Sequence, residues 1–277
     1  MNDLQDLDEL GQGRKGAITR GKTAPNRLRS ADLYLALAHR LLVSAKGRSF
    51  FCDLGFGEDV FTLAQSAAIL RRINPGLPVL GVEIDPDRVE RACAAGLMDI
   101  EARLGGFELP LKAGESVRIV RAFNVLRQYK AFYYREALEL MAPALVTGGI
   151  IFEGSSSPWG DIWCANVFKK NSQGLLDYDS LVFRFAFKEA FSPSLFPPLL
   201  PRNLIEKMVS GEAVYCFFKV WEEVFERSRQ LGVRSNQGLW KSTARMLAEQ
   251  GFGITLQKRF LSRGLLILNV KGLFQWP

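Results

Sequence analysis

An α/β fold built on a mostly parallel sheet is predicted for this chain by three features. Between residues 49 and 154, apolar strand-like runs alternate with helical runs at a spacing that suits strand–helix–strand crossovers. The first run, Phe50-Phe51-Cys52-Asp53-Leu54, enters a tight turn at Gly55-Phe56-Gly57, and a helical stretch leaves it over residues 60–72. The second run, Val79 to Glu83, ends on an acid at its carboxyl tip, where ligands gather in open α/β sheets. The expected architecture is a Rossmann-like, mostly parallel seven-stranded sheet with helices on both faces. A closing antiparallel hairpin and a mainly helical inserted lobe complete it.

Taken in order, residues 1–24 read as an arm, and Ser30 is placed to cap a helix carrying Leu33, Leu37 and Leu41. Asn74-Pro75-Gly76 ends the helix after the glycine turn. Asp85-Pro86-Asp87 opens the next helix, with Asp85 as N-cap and Pro86 at the first helical position. Phe107-Glu108-Leu109 is the candidate third strand, 117–123 the fourth and 148–154 the fifth. Leu126, Tyr129, Tyr133, Ala137, Leu140 and Met141 mark one face of a helix between the last two. Beyond Gly154 the alternation loosens. A strand at 181–187, helices at 214–229 and 239–250, and strands at 253–259 and 265–270 are expected. The division is a basic arm and helix (1–48), a ligand-binding core (49–154), an inserted lobe or lid (155–235) and a closing helix with strands (236–277).

Composition narrows the classes. The chain has 277 residues, 48% hydrophobic and 23% charged, which suits an ordinary globular core. No run is long enough to span a bilayer and Met1 to Leu10 lacks the basic and apolar regions of a signal peptide, so a cytoplasmic location is expected. The four cysteines form no Cys-x-x-Cys pair, and each sits among apolar neighbours as a buried reduced thiol would. His39 is the single histidine and lies in a leucine-rich helical run. A Ser-His-Asp hydrolase and a metal site are both poorly supported. The net charge is +7, and Arg14, Lys15, Arg20, Lys22, Arg27 and Arg29 crowd one short segment that could follow a phosphate backbone.

Two cofactor classes suit a glycine turn after strand one with an acid after strand two. A dinucleotide site needs a third glycine where this chain has Val60, and its pyrophosphate would meet Glu58 and Asp59. S-adenosylmethionine carries a sulfonium and an ammonium and no phosphate, so an acidic loop favours it.

At these positions the chain resembles class I S-adenosylmethionine-dependent methyltransferases. Asp53-Leu54-Gly55-Phe56-Gly57 is similar to their D-x-G-x-G-x-G motif, with Asp59 in place of the last glycine, and Gly81-Val82-Glu83-Ile84-Asp85 to their second motif. The resemblance implies that Asp53, Gly55 and Gly57 hold the methionine end, Glu83 the ribose and Ile84 the adenine. It places Glu108 near the adenine amino group, Asp59 at the helix N-cap or the ligand's ammonium, and Ala122 to Asn124 beside the methyl. The segments 21–29 and 121–129 are similar to a group of bacterial methylase-like proteins of unassigned substrate. Candidates for acceptor contact are Asn124, Arg121, Arg127, Tyr129 and Glu153. The fourth strand ends on Asn124-Val125-Leu126-Arg127, without the Pro-Pro-Tyr of amide and amino methylases or the Pro-Cys of pyrimidine-ring enzymes. The activity implied is in-line methyl transfer to an RNA or small-molecule acceptor. The alternatives are a non-catalytic binding protein that holds RNA through the arm, and an NAD(P)-dependent oxidoreductase.

Overall fold

The computed structural model describes residues 15–271 and Leu273. After helices α1 (Arg29–Ala38) and α2 (Arg40–Ser44), the chain alternates β1 (Phe50–Leu54), α3 (Phe61–Leu70), β2 (Val79–Glu83), α4 (Pro86–Ala94) and β3 (Ile100–Leu104). It continues through β4 (Val117–Phe123), α5 (Tyr133–Met141) and β5 (Leu145–Ser156). These five strands are parallel in the order β3-β2-β1-β4-β5. β1, β2 and β4 are buried at every residue, as strands covered on both faces should be, and their polar members Asp53, Glu83, Arg118 and Arg121 are hydrogen-bonded. The α4 start matches its sequence signal: Asp85 accepts from the amides of Asp87 (3.0 Å) and Arg88 (3.4 Å), with Pro86 in the first turn.

The sheet has nine strands, two more than expected. β6 (Ile162–Lys170) and β7 (Leu176–Phe185) extend it antiparallel from β5, and β9 (Leu265–Asn269) and β8 (Gly253–Ile254) complete it. The first part of the segment expected to be mainly helical is therefore sheet. Its strand signal is weak because β6 is buried along Ile162–Phe168, so apolar and polar residues do not alternate. Strand three lies at Ile100–Leu104 and not at Phe107–Leu109, which forms a turn closed by Leu109 N–H to Gly106 O at 3.2 Å. As an edge strand reading Ile-Glu-Ala-Arg-Leu, β3 is only half buried, and its Glu and Ala are residues depleted in strands. The closing hairpin is also shorter than expected, because α9 (Lys258–Leu261) forms where its first strand would have continued.

Three local expectations change. α1 starts at Arg29, and Ser30 does not cap it: its hydroxyl accepts from Trp163 Nε1 at 2.8 Å. The run 126–141 splits into a 3-10 turn at Leu126–Gln128 and α5. Of the cysteines, Cys52 and Cys164 are buried, while Cys93 and Cys216 are exposed on helices. His39 lies between α1 and α2, its ring 3.3 Å from the Tyr34 hydroxyl, and burial pushes its pKa down to about 4. Among the described residues no helix is long and apolar enough to cross a membrane.

The far part of the chain packs as one aromatic cluster. α6 (Arg202–Ile205), α7 (Ala213–Gln230) and α8 (Asn236–Glu249) cover β7 and β9. Phe183, Phe185, Phe191 and Phe196 pack with Trp221 and Trp240, with Phe183 and Trp221 centroids 5.0 Å apart. These rings form the core of the region.

Candidate functional site

The carboxyl ends of β1, β2 and β4 meet in a groove built by the loops that follow them. Gly55 (φ 70°) and Gly57 (φ 89°) turn the chain from β1 towards α3 in a conformation open to glycine. Glu83 at the tip of β2 is buried, and its carboxylate stitches the loops together. Oε2 accepts from Gly57 N at 3.0 Å, and Oε1 accepts from Ile84 N at 2.9 Å and Asp85 N at 3.4 Å. Arg88 stands 3.5 Å from the same carboxylate.

The group that lies closest to this loop is the chain's own arm. A Cβ on Gly57 would stand 2.5 Å from the Gly21 carbonyl, which accepts from Glu58 N at 2.9 Å. Upstream, Thr19 O accepts from Arg88 Nη2 at 2.8 Å. Ala17 makes a two-way pair with Tyr129: its N–H donates to the hydroxyl at 2.7 Å and its carbonyl accepts at 3.0 Å. Lys15 donates its N–H to Glu108 Oε2 at 3.0 Å and accepts from Phe107 N at 3.0 Å. Gly16 passes so close that a Cβ there would meet Ile84 Cδ1 at 2.9 Å. The cavity left between the arm, Glu83, Ile84 and Phe107 is about 20 Å³, space for about one water.

Beyond Thr19 the groove opens into a cleft of about 830 Å³. Asp53, Gly55, Gly57 and Asn124 lie on the sheet side, and Arg20, Lys22, Arg27, Arg127 and Arg202 also line it. Asp53 is buried in a bidentate pair with Arg121: Nε to Oδ1 is 2.9 Å and Nη2 to Oδ2 is 2.6 Å. Arg121 also contacts Asp32 and the Ser66 hydroxyl (2.7 Å), and is fully buried. Burial opposes its charge, but Asp32 and Asp53 outweigh that and raise its pKa. Asp32 itself is raised to about 6 by burial, with Arg121 opposing.

Asn124 takes φ 61° and joins β4 to β5. Its side chain donates to Ser156 Oγ at 3.1 Å and accepts from Ser156 N at 3.0 Å, and it caps no helix. Asp59 accepts from Phe61 N at 3.2 Å at the start of α3. Glu153 is fully buried. Tyr134 donates to it at 2.5 Å, Asn166 lies at 3.4 Å, and burial pushes its pKa up to about 7 against those hydrogen bonds.

Of the sequence-predicted residues, the structure therefore gathers Asp53, Gly55, Gly57, Glu83, Ile84, Glu108, Asn124, Arg127 and Tyr129 around the groove and cleft. Ala122, Arg121 and Glu153 are buried below them and line neither cavity. Of the arm cations, Arg14 lies outside the described residues; Lys15 sits in the groove, and Arg20, Lys22 and Arg27 border the cleft. Arg29 is exposed in α1. Sequence reasoning missed Arg88, Arg202, Ser156 and the amide of Phe107. Only Arg88 carried a signal, three residues after Asp85 on the helix that begins beside Glu83. Among the described residues no cluster of His, Cys, Asp and Glu could hold a metal ion.

No protein-family model matches the chain, and no curated protein matches it. Among solved structures, the chain is similar to the plantazolicin methyltransferase BpumL in complex with SAH, at 15% identity and a TM-score of 0.36 over 48% of each chain. It is similar to the N-methyltransferase NodS from Bradyrhizobium japonicum WM9 in complex with S-adenosyl-L-homocysteine, at 19% identity and a TM-score of 0.34, covering 47% of this chain and 62% of that one. A third similarity is to the CcbJ methyltransferase from Streptomyces caelestis, at 16% identity and a TM-score of 0.34, covering 56% and 71%. The chain thus matches about half the length of BpumL.

Proposed function

We propose that the chain is an S-adenosylmethionine-dependent methyltransferase whose cofactor groove is closed by its own arm. The observation that carries this reading is the Glu83–Gly57 hydrogen bond of 3.0 Å at the carboxyl end of a parallel β3-β2-β1-β4-β5 sheet. It places an acid and a glycine loop together at the point where such sheets bind nucleosides. The residues on the sheet side suit the cofactor. Glu83 would take the ribose hydroxyls, Ile84 would pack on the adenine, and Glu108 with Phe107 N would meet the adenine edge. The backbone of Gly55 and Gly57, near Asp53 and Asn124, would receive the amino-acid end. When bound, the cofactor would supply a methyl group on a sulfonium, already activated for in-line transfer.

The arm holds the same partners. The Lys15 backbone offers Glu108 an N–H and Phe107 N a carbonyl, the donor and acceptor pattern of an adenine edge. With about 20 Å³ left, an adenosine enters only after residues 15–19 move. Opening is then part of cofactor binding, and it lowers the apparent affinity by the fraction of molecules that are open. Once the groove is filled, this chain's own residues have to orient the acceptor and exclude water, so catalysis rests on positioning. The acid pair Glu58 and Asp59 disfavours the pyrophosphate of a dinucleotide.

The same docked arm favours one competing reading, a binding protein whose groove is permanently filled. Titration calorimetry with S-adenosylmethionine, S-adenosylhomocysteine and NAD, on the full chain and on a chain lacking residues 1–19, separates the two. The methyltransferase reading expects saturable binding of the first two ligands only, tighter in the shortened chain and weakened by Glu83→Ala. Binding of NAD alone, or of no ligand by either chain, contradicts it.

A further inference from the structure

The cleft beside the glycine loop is unusually cationic for a site next to a sulfonium ligand. Arg27, Arg127 and Arg202 reach it from three separate places: the turn before α1, the 3-10 turn after β4, and α6. Among the described residues, neither Arg27 nor Arg127 has a carboxylate within ion-pair distance, and Arg202 pairs only with the half-exposed Glu206. The guanidiniums also act on one another. Burial and then Arg127 lower the pKa of Arg27, while burial and Arg202 lower that of Arg127, with Glu153 opposing.

Their hydrogen bonds are only partly used. Arg27 is committed to Ser156 and Ser157, with Nε to Ser156 Oγ at 3.0 Å and Nη2 to Ser156 O at 3.1 Å, so it supplies fixed charge. Arg127 donates to Pro198 O at 3.3 Å through one nitrogen. The Arg202 Nε is buried with no partner. Clustered like charges with spare donors cost stability unless an anion joins them, and a guanidinium fork matches phosphate oxygens. The exposed Trp159 stands at the same cleft and offers a flat face to a ring.

We propose that this cleft binds a small acceptor bearing a phosphate monoester, gripped by Arg127 and Arg202 in the field of Arg27, with an aromatic or heterocyclic portion against Trp159. This rests on the methyl-transfer reading, and names the acceptor class for the same site. A phosphate monoester carries close to two charges at neutral pH, which suits converging arginines better than a carboxylate does. The volume of about 830 Å³ falls in the range of about 300–1,000 Å³ for small-molecule sites. A nucleic-acid track is less well served, because the Arg27 guanidinium is folded onto Ser156 and Ser157, which takes it out of the arm's run of cations.

Calorimetry with phenyl phosphate, benzoate and a single-stranded twelve-nucleotide DNA tests this on the full-length chain. Phenyl phosphate should bind saturably, at least tenfold tighter than benzoate. Arg127→Gln or Arg202→Gln should weaken it tenfold or more, Arg202→Lys should restore part of the loss, and the exposed Arg263→Gln should change nothing. Thermal unfolding of each variant confirms that it folds. No binding of phenyl phosphate, equal binding of benzoate, or indifference to both arginine variants overturns the proposal. So does oligonucleotide binding that is tighter, steeply salt-dependent and lost in Arg127→Gln, which would assign the cleft to nucleic acid. S-adenosylhomocysteine is titrated separately. If it fails on both the full chain and the chain lacking residues 1–19 while phenyl phosphate binds through the arginines, the methyl-transfer reading falls and the phosphate site stands.

Discussion

The Tyr129 hydroxyl accepts from Ala17 N at 2.7 Å and donates to Ala17 O at 3.0 Å, so one phenol pins the arm across the mouth of the groove. Tyr129 itself is fixed by its edge-on packing against Phe107, with centroids 5.2 Å apart. Its position depends on the core, and the arm depends on it.

Tyr129→Phe should therefore tighten S-adenosylmethionine binding. Two arm hydrogen bonds vanish, each contributing about 1 kcal/mol to the closed form. Calorimetry should read a gain of about tenfold to thirtyfold. A loss of affinity would mean that the phenol serves the ligand and not the arm.

Arg121 holds two buried acids, Asp53 and Asp32, and removing it leaves both without their cation. Arg121→Met should cost about 3–5 kcal/mol in denaturant unfolding. Adding Asp32→Asn and Asp53→Asn to it should return part of that loss. A near-neutral Arg121→Met would show that the triad is not a buried charge network.

Glu153 gives a pH signature. Its pKa is about 7 in the folded chain against an ordinary 4.5, so the native state binds the proton more tightly than the unfolded state. Wild-type stability should then fall, relative to Glu153→Gln, as pH rises from about 4.5 to 7, and level off above that. The difference across the window is about 3 kcal/mol. Denaturant melts of both proteins across this pH range check it, and a difference that stays flat contradicts it.

Trp240, fully buried in the aromatic cluster, and Trp159, 73% exposed at the cleft, should part company. Trp240→Ala should cost about 3–5 kcal/mol, and Trp159→Ala less than about 0.5 kcal/mol. Urea midpoints read both. A large cost at Trp159 would place it in the core and remove it from the cleft.

Much of this architecture was legible in the residues. β1, β2 and β4 are largely apolar runs, and Asp85-Pro86-Asp87 states its helix start outright. β6 was hidden because Asn166 interrupts a buried run that has no alternation, and β3 because Glu101 and Ala102 are residues depleted in strands. At the site, Gly57 was read as part of a turn that receives the ligand. What approaches is Gly21 O of the same chain, a long-range pairing that no local pattern reveals. Likewise Glu83 was read only as a ligand contact at a strand tip, and in the fold it accepts from Gly57 N and Ile84 N. Arg121 looked like a functional cation, and only the fold shows Asp32 and Asp53 on either side of it.

The central claim is that the arm and the cofactor compete for one groove, and hydrogen–deuterium exchange with and without S-adenosylhomocysteine tests it most directly. The account predicts faster exchange over residues 15–19 on ligand addition, with slower exchange at 55–57 and 83–84. Slower exchange in the arm together with those loops would contradict it, making residues 15–19 a lid over the ligand and not its rival.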